Sequence, residues 1–579
     1  MRSKKSTSMK HIRFFILAVA LIAIAGCANE LNEKKSSAAD AIYYNGDIIT
    51  MESDSAMYAE AVAIKDGRII FVGSMAEAEK LKGDSTIMDD LQGKTMLPGF
   101  IDGHSHFVGA MAMSSQANCF APPAGPAKDV DGIISALKEI ERKNNSANDD
   151  IIIGYGYDEN QMPGGRTLNR DDLDKAFPKN PVIVIHVSQH GCVLNSVAMK
   201  KFGYSAKTIT PAGGIIIRKP GTNEPYGLVM ETAFLPVFSN LPKPTPDQTS
   251  QDLKDGQMIY AAAGVTTAQE GATHKADMNI LTEGAKKNEL FIDIVAYPFI
   301  LDLRTILIDH PFSEFGTYSN HFKIGGVKIV LDGSPQGKTA FFTAPYLTGG
   351  PSGQKSWKGE PGFPQDSINA WVKWIYGEKV QLLMHANGDA AIDMMLKAHQ
   401  YASGKDSATD RRTVVVHSQF VRQDQLEKYK MYNIIPSMFA EHTFYFGDTH
   451  IKNRGIKQAS FLSPINTALK MGLPATNHTD FNVLPIDQMM VLWSSVNRLT
   501  RTNVVLGPDE CLTPYQALQC ITINGAHQYF EENTKGSIKA GKLADLVILD
   551  QNPLKVNRLK IKDITVTETI KEGKTIYRK

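Results

Sequence analysis

The stretch Leu97-Pro98-Gly99-Phe100-Ile101-Asp102-Gly103-His104-Ser105-His106 is an apolar run that ends on two histidines with one residue between them. In an extended chain alternate side chains point the same way, so such a strand delivers both imidazoles to one side, a spacing suited to sharing one divalent metal. Two histidines alone prove little until the strand is placed in a fold. The run 95–101 is followed by short apolar runs at 266–269, 291–297, 326–331, 380–384, 413–416, 434–438 and 473–475, with helical stretches between them. That alternation predicts an α/β fold, a parallel (β/α)8 barrel of the TIM type. Several runs end on a polar residue or a histidine, and the C-terminal ends of the strands are where such a barrel carries its chemistry.

Outside the barrel rhythm lie the two chain ends and one long insertion. Residues 41–51 and 59–73 alternate apolar and polar around Asn45-Gly46 and Asp66-Gly67, both hairpin signals, and residues 536–549 and 564–577 repeat the style around Glu572-Gly573. Both ends are therefore expected to build one small β-sandwich from 41–94 and 535–579, with the barrel in 95–534. The stretch from about 112 to 250, with Gly154-Tyr155-Gly156-Tyr157-Asp158, Gly164-Gly165-Arg166 and Gly213-Gly214, reads as an inserted domain after the first barrel strand.

The string from Leu97 to His106 resembles the first-strand motif of the amidohydrolase superfamily, metal-dependent hydrolases built on a (β/α) barrel with a small β-sandwich. Lys328 in Gly325-Gly326-Val327-Lys328, His385 in Met384-His385-Ala386-Asn387-Gly388-Asp389, His417 in Val416-His417-Ser418-Gln419 and Asp480 in Asn477-His478-Thr479-Asp480 match that superfamily's later ligands in order and strand setting. The closer resemblance is to its YtcJ-like branch, amidohydrolase family 3, which includes N-substituted formamide deformylases. It runs over nearly all of residues 41–579. It rests on Leu331-Asp332-Gly333-Ser334 with Thr339-Ala340 and Pro345-Tyr346, on the His385 to Asp389 string, on Asp171-Asp172-Leu173-Asp174, and on Gly213-Gly214 with Gly227-Leu228-Val229-Met230-Glu231. One departure stands at Thr479-Asp480-Phe481-Asn482, where the branch carries a small residue and proline after the aspartate; this sets Phe481 beside the substrate pocket.

The resemblance implies that His104, His106, His385, His417 and Asp480 are metal ligands. Lys328 would by default be solvated or salt-bridged, but its apolar strand argues for burial. A buried lysine with a lowered pKa can react with carbon dioxide to give a carbamate bridging two metals; a single-metal site with a neutral Lys328 also fits. His190, in Ser188-Gln189-His190-Gly191, either covers the substrate or caps the interior, and His442, after the seventh strand, is expected in the pocket. Cys119 and Cys192 read as small buried hydrophobes. Imidazoles and carboxylates suit zinc, with manganese, iron or nickel open, in a site of one or two ions. A metal-activated water would be the nucleophile, Asp480 its general base and then the general acid, and His417 both ligand and oxyanion stabiliser. The expected reaction is hydrolysis of a carbon–nitrogen bond in a non-peptide amide, formamide or cyclic amide. Deaminase or isomerase chemistry, or ligand capture without turnover, stays open because one fold hosts many chemistries.

The chain has 579 residues with 62 Lys+Arg against 61 Asp+Glu, and this balance leaves no electrostatic footprint for a nucleic-acid partner. Five scattered cysteines exclude a disulfide scaffold, and none sits in a CxxC zinc pattern. Arg2, Lys4, Lys5, Lys10 and Arg13 precede an apolar run at 14–25 that is too short to span a bilayer. Its end, Ile24-Ala25-Gly26-Cys27, resembles the lipobox of bacterial lipoproteins. Residues 1–27 then read as a signal peptide, Cys27 as the acylated residue and 28–40 as a polar tether. Cleavage removes five basic and no acidic residues, turning the formal charge from +1 to −4. Ala28 after the cysteine resembles outer-membrane sorting, so the expected setting is the bacterial cell envelope, facing the periplasm. The expected partners are a small-molecule substrate and a membrane held through the anchor, with a homo-oligomer left open.

Overall fold

The computed structural model describes residues 38–187, 191–211, 214–241, 244–351 and 353–579. The Cys27 segment and His190 lie outside the described residues. The expected α/β barrel is present. Its parallel strands are, in order, Phe100–Ile101, Val265–Thr273, Asp293–Pro298, a fourth in two parts, Gln381–Ala386, Val414–His417, Ile435–Met438 and Thr476–Asn477. The fourth is Phe322–Ile324, which pairs with the third strand, then Gly326–Val330, which pairs with the fifth. Gly325 between them is forced to be small, because a Cβ there would lie 2.6 Å from Val295 and 2.7 Å from the Tyr297 ring. The eighth strand does not form a ladder with the first. Two hydrogen bonds beyond the strand ends close the seam: Asp480 N–H donates to the His104 carbonyl at 3.1 Å, and His106 N–H to that of Phe481 at 2.6 Å.

The run 95–101 divides at Gly99, where a Cβ would meet Thr266 at 2.5 Å. Phe100–Ile101 enters the barrel beside Val265–Thr273, whereas Thr95–Pro98 belongs to the sheet of the chain ends, parallel to Ala41–Ile49 and antiparallel to Leu546–Leu549. That sheet has eight strands, running from Lys574–Arg578 through Val566–Lys571, Leu546–Leu549, Thr95–Pro98, Ala41–Ile49 and Tyr58–Lys65 to Arg68–Gly73, with Ile87–Asp90 alongside Ala41–Ile49. It curls over its apolar core until Ile69 N–H donates to the Lys542 carbonyl and Ala544 N–H to that of Gly67, both at 2.9 Å. Asp66-Gly67 and Glu572-Gly573 make tight hairpin turns with both residues at positive φ. Asn45-Gly46 does not turn the chain. It is an irregularity inside the continuous strand Ala41–Ile49, with Gly46 pressed so closely on Leu91 and the Lys94 carbonyl that only glycine fits.

Between the first strand and the helix Pro246–Ala262 the insertion folds around a six-stranded mixed sheet, in the order Gly214–Arg218, Pro225–Glu231, Gly191–Leu194, Val182–His186, Ile152–Tyr157 and Ala117–Asn118. Two apolar clusters, one containing Leu137 and Val184 and the other Leu194 and Val229, form its core. Cys119 and Cys192 are buried, and desolvation pushes the Cys119 thiol up to about 12, consistent with inert packing. Beneath the barrel a buried charge network ties the third strand to the end sheet: the Asp293 carboxylate takes Lys535 and, at 2.9 Å, Lys571, which also reaches Asp545 at 2.8 Å. Among the described residues no helix is long and apolar enough to cross a membrane.

Candidate metal centre

Five barrel strands bring His104, His106, Lys328, His385, His417 and Asp480 together at the mouth of the barrel. Two of them sit on unusual backbone: His417 at φ +71° and Asp480 at φ +49° are left-handed, a conformation costing roughly 1–2 kcal/mol for a residue with a side chain. Such strain survives where the surrounding structure enforces it, and it concentrates at functional sites.

His104, His106 and Asp480 form the first donor group, with one ligating atom from each within 4.8 Å of the others. Asp480 Oδ1 lies 3.4 Å from His104 Nε2 and 3.5 Å from His106 Nε2. The tautomer of His104 follows from its neighbours. Gln269 Nε2 donates to the Gly103 carbonyl at 3.1 Å and to the Tyr529 hydroxyl at 2.6 Å, so its Oε1 must be the atom 2.6 Å from His104 Nδ1. Nδ1 therefore carries the proton, and the Nε2 lone pair faces the Lys328 ammonium at 3.1 Å and the Asp480 carboxylate at 3.4 Å. Burial and the nearby Lys328 charge hold this imidazole neutral, well below the ordinary histidine pKa. Two imidazoles and a carboxylate converging in this way are a donor set that fits a divalent ion.

His385 and His417 form the second group, with His417 Nε2 3.1 Å from His385 Nδ1 and 3.8 Å from Asp480 Oδ2. Burial, followed by the charge of Lys328, pushes His385 down to about 3, and burial with the other histidines holds His417 neutral as well. The outer side of His417 is fixed by a relay in which its Nδ1 lies 3.0 Å from His478 Nε2, and His478 Nδ1 lies 3.0 Å from Ser437 Oγ. Both ring nitrogens of His417 thus face other histidines. That geometry suits a ligand. His385 is held at Nε2 by Asn387 at 3.0 Å, and Asn387 N–H donates at 2.9 Å to the buried Asp332.

Lys328 Nζ lies 3.1 Å from His104 Nε2, fully enclosed. Desolvation lowers its pKa to about 7 against the pull of the Asp480 and Glu270 carboxylates. Glu270, on the second strand, is buried with Oε1 3.9 Å from His106 Nδ1 and Oε2 accepting Val108 N–H at 2.7 Å. Burial would lower His106, but the two carboxylates raise it to about 9. Gly271 beside it leaves room for the site, since a Cβ there would come within 2.3 Å of the His104 ring.

The other expected positions are placed differently. The ring of Phe481 turns into the core, edge-on to Tyr260 with centroids 6.3 Å apart, and only its carbonyl takes part in the seam. Asn482 after it faces the mouth instead. His442 is buried with Nδ1 3.1 Å from His450 Nε2 and its ring 4.5 Å from that of Phe439, one layer behind the His417–His478 relay. Gln269, Glu270 and His478 were not anticipated from sequence. The polar run Thr266-Thr267-Ala268-Gln269-Glu270 on a fully buried strand was the available signal, and His478 stood in view two residues before Asp480. Asp293 with His321 and Glu572 also groups ligating atoms, but the two lysines already neutralise Asp293.

Residues 89–577 match the amidohydrolase family. A Bacillus subtilis protein named as an amidohydrolase, YtcJ, is 26% identical over 552 residues, covering 93% of this chain and 99% of its own. The N-substituted formamide deformylase of Arthrobacter pascens is 25% identical over 558 residues, 93% of this chain and 98% of its own. Among solved structures, a metal-dependent hydrolase from Pyrococcus horikoshii superposes with a TM-score of 0.69 at 22% identity, over 90% of this chain and 99% of that one.

Proposed function

Since the chain belongs to the amidohydrolase family, we propose that it is a metal-dependent hydrolase that cleaves a non-peptide carbon–nitrogen bond, as in an amide, formamide or cyclic amide, of a small molecule. The observation that carries this reading is the convergence of His104 Nε2 and His106 Nε2 on one Asp480 oxygen, at 3.4 and 3.5 Å, with Nδ1 of His104 protonated toward Gln269. His104, His106 and Asp480 would hold one divalent ion, and His385 and His417 a second, with zinc the best match to this donor set. Lys328, enclosed beside His104 with its pKa lowered to about 7, would be the residue to carry a carbamate. When bound, the metal would supply a water acidic enough to attack at neutral pH and would polarise the scissile carbonyl.

The chain's own residues do the rest. Asp480 reaches both donor groups, Oδ1 toward His104 and His106 and Oδ2 toward His417, so its carboxylate is placed to accept the proton of the attacking water and return it to the leaving nitrogen. His417 acts as a ligand positioned through His478. Deformylation by the Arthrobacter pascens relative supports the choice of bond. We place the protein, through acylation of Cys27, on a bacterial envelope membrane facing the periplasm; the lipobox-like string supports this.

The test is metal analysis of the purified protein with a panel of formamides, N-acyl amines and cyclic amides. Metal is expected in wild type, and His104→Ala with His106→Ala is expected to lose the ion of the first group and all turnover. Full metal content in that double variant after dialysis would refute the assignment. Ammonia release from an aminated ring, with every amide untouched, would favour deaminase chemistry.

A further inference from the structure

We propose that the cavity between the inserted domain and the barrel mouth receives an apolar group attached to the scissile amide, which makes the substrates aryl or branched-alkyl amides rather than small polar ones. This rests on the amide-hydrolase reading and adds a substrate class to it.

The cavity measures about 240 Å³ and is walled on the barrel side by segments that start at metal ligands. The helix Phe107–Ser114 begins at the residue after His106 and presents Ala112 and Met113 to the space. The loop after the eighth strand places Asn482, two residues beyond Asp480, against the same helix at Gly109, where a Cβ would lie only 3.0 Å from the Asn482 side chain. At a rise of about 1.5 Å per residue, Ala112 stands roughly 9 Å along the helix from His106. His106 is the most exposed of the proposed ligands, 31%, and the helix that walls the cavity starts at the next residue. An atom held at the metal centre and a group in the cavity are thus within the reach of one small molecule.

The facing wall belongs to the insertion and is mostly aromatic and aliphatic, with His186, held at 2.8 Å by Glu159, as its polar group. Phe120 and Tyr155 meet edge to face with centroids 5.8 Å apart, and Phe238 forms the rim, 64% exposed. A solvent-exposed phenylalanine at the lip of an apolar hollow is surface that an apolar ligand would cover. The size matches a definite occupant: a dry apolar cavity of about 150 Å³ takes a benzene ring. This space therefore accepts an aryl ring with two or three further carbons, and it excludes nothing smaller.

The probes are N-acetyl-4-fluorobenzylamine, with the ring on the amine side, and 4-fluorophenylacetamide, with the ring on the acyl side, titrated against the full chain by fluorine NMR. At least one is expected to bind wild type, and the difference between them tells which side of the bond the cavity serves. Ala112→Phe, an exposed helical position, is expected to weaken that binding at least tenfold with an unchanged melting temperature, and Phe238→Ala by several-fold. In turnover, Ala112→Phe should lower kcat/KM for the aryl amide relative to N-methylacetamide at least tenfold. Absence of binding to wild type, or binding to Ala112→Phe within twofold of wild type, overturns the proposal. Binding that follows these expectations without hydrolysis of any amide would instead refute the reaction and leave the cavity's assignment standing.

Discussion

Replacing Gln269 by leucine removes the acceptor that sets the His104 tautomer and little else. The two groups to which Gln269 donates keep other partners: the Gly103 carbonyl still accepts from Gln528 Nε2 at 2.7 Å, and the Tyr529 hydroxyl still donates to the Asp102 carbonyl at 2.7 Å. The orphan is His104 Nδ1–H. An unsatisfied buried donor costs about 1–3 kcal/mol, and the imidazole can avoid that cost by moving its proton to Nε2, the atom that must bind the ion. Losing such an outer partner of a ligating histidine lowers metal affinity roughly 10- to 100-fold, or about 1.4–2.7 kcal/mol. Chelator competition with metal analysis reads this directly. Gln269→Glu keeps an acceptor at His104 and gives up only the two redundant donations, so it should retain metal within a few fold of wild type. If Gln269→Leu also held metal within twofold, the tautomer would not be set by Gln269, and the argument for an unprotonated Nε2 would fall.

Asp480→Asn keeps the shape of the side chain and should slow turnover of any amide that wild type cleaves by about 100- to 10,000-fold with substrate affinity little changed; turnover within a few fold of wild type would remove Asp480 from proton transfer. Lys328, lowered to about 7, carries a proton below that pH and is a free amine above it. Carbamate labelled from ¹³C-bicarbonate should therefore rise between about pH 6 and 8 and be missing in Lys328→Met; a signal independent of pH, or one surviving in the variant, contradicts the assignment. In the metal-free protein the same depressed pKa should make stability rise with pH from about 7 toward the ordinary lysine value, because only the unfolded chain still binds that proton, a slope that melting curves would reveal. Cys27→Ser should move the protein from the membrane fraction to the soluble one, and failure of wild type to incorporate labelled fatty acid would end the lipid-anchor reading.

What could be read from the sequence was what repeats locally. Barrel strands announce themselves as short apolar runs, and His385 and His417 stand at or next to the ends of theirs, where period and position agree. The residues that were missed act across the chain. Gln269 orients a histidine 165 positions away, and nothing near it in sequence shows that its amide is held by Gly103 and Tyr529. Asn45-Gly46 has the composition of a turn, but its neighbours across the sheet, Leu91 and Lys94, make it an irregularity in a straight strand. Phe481 looked like a pocket residue because it follows the ligand Asp480. The left-handed backbone at Asp480 reverses the chain there and sends the ring inward, leaving Asn482 to face the mouth.

The seam that closes the barrel also fixes the order in which the protein can be completed. His104 and His106 emerge early in synthesis, yet the backbone atoms that hold them belong to Asp480 and Phe481, and the strand that leads into them is flanked by Leu546–Leu549. A nascent chain therefore exposes the two imidazoles assigned to the metal long before their enclosure exists. Any fragment released before the end sheet is made would carry loose histidines, open to whichever transition metal is most competitive. Enclosure of these two imidazoles is thus a property of the finished chain, reached only when the end sheet docks.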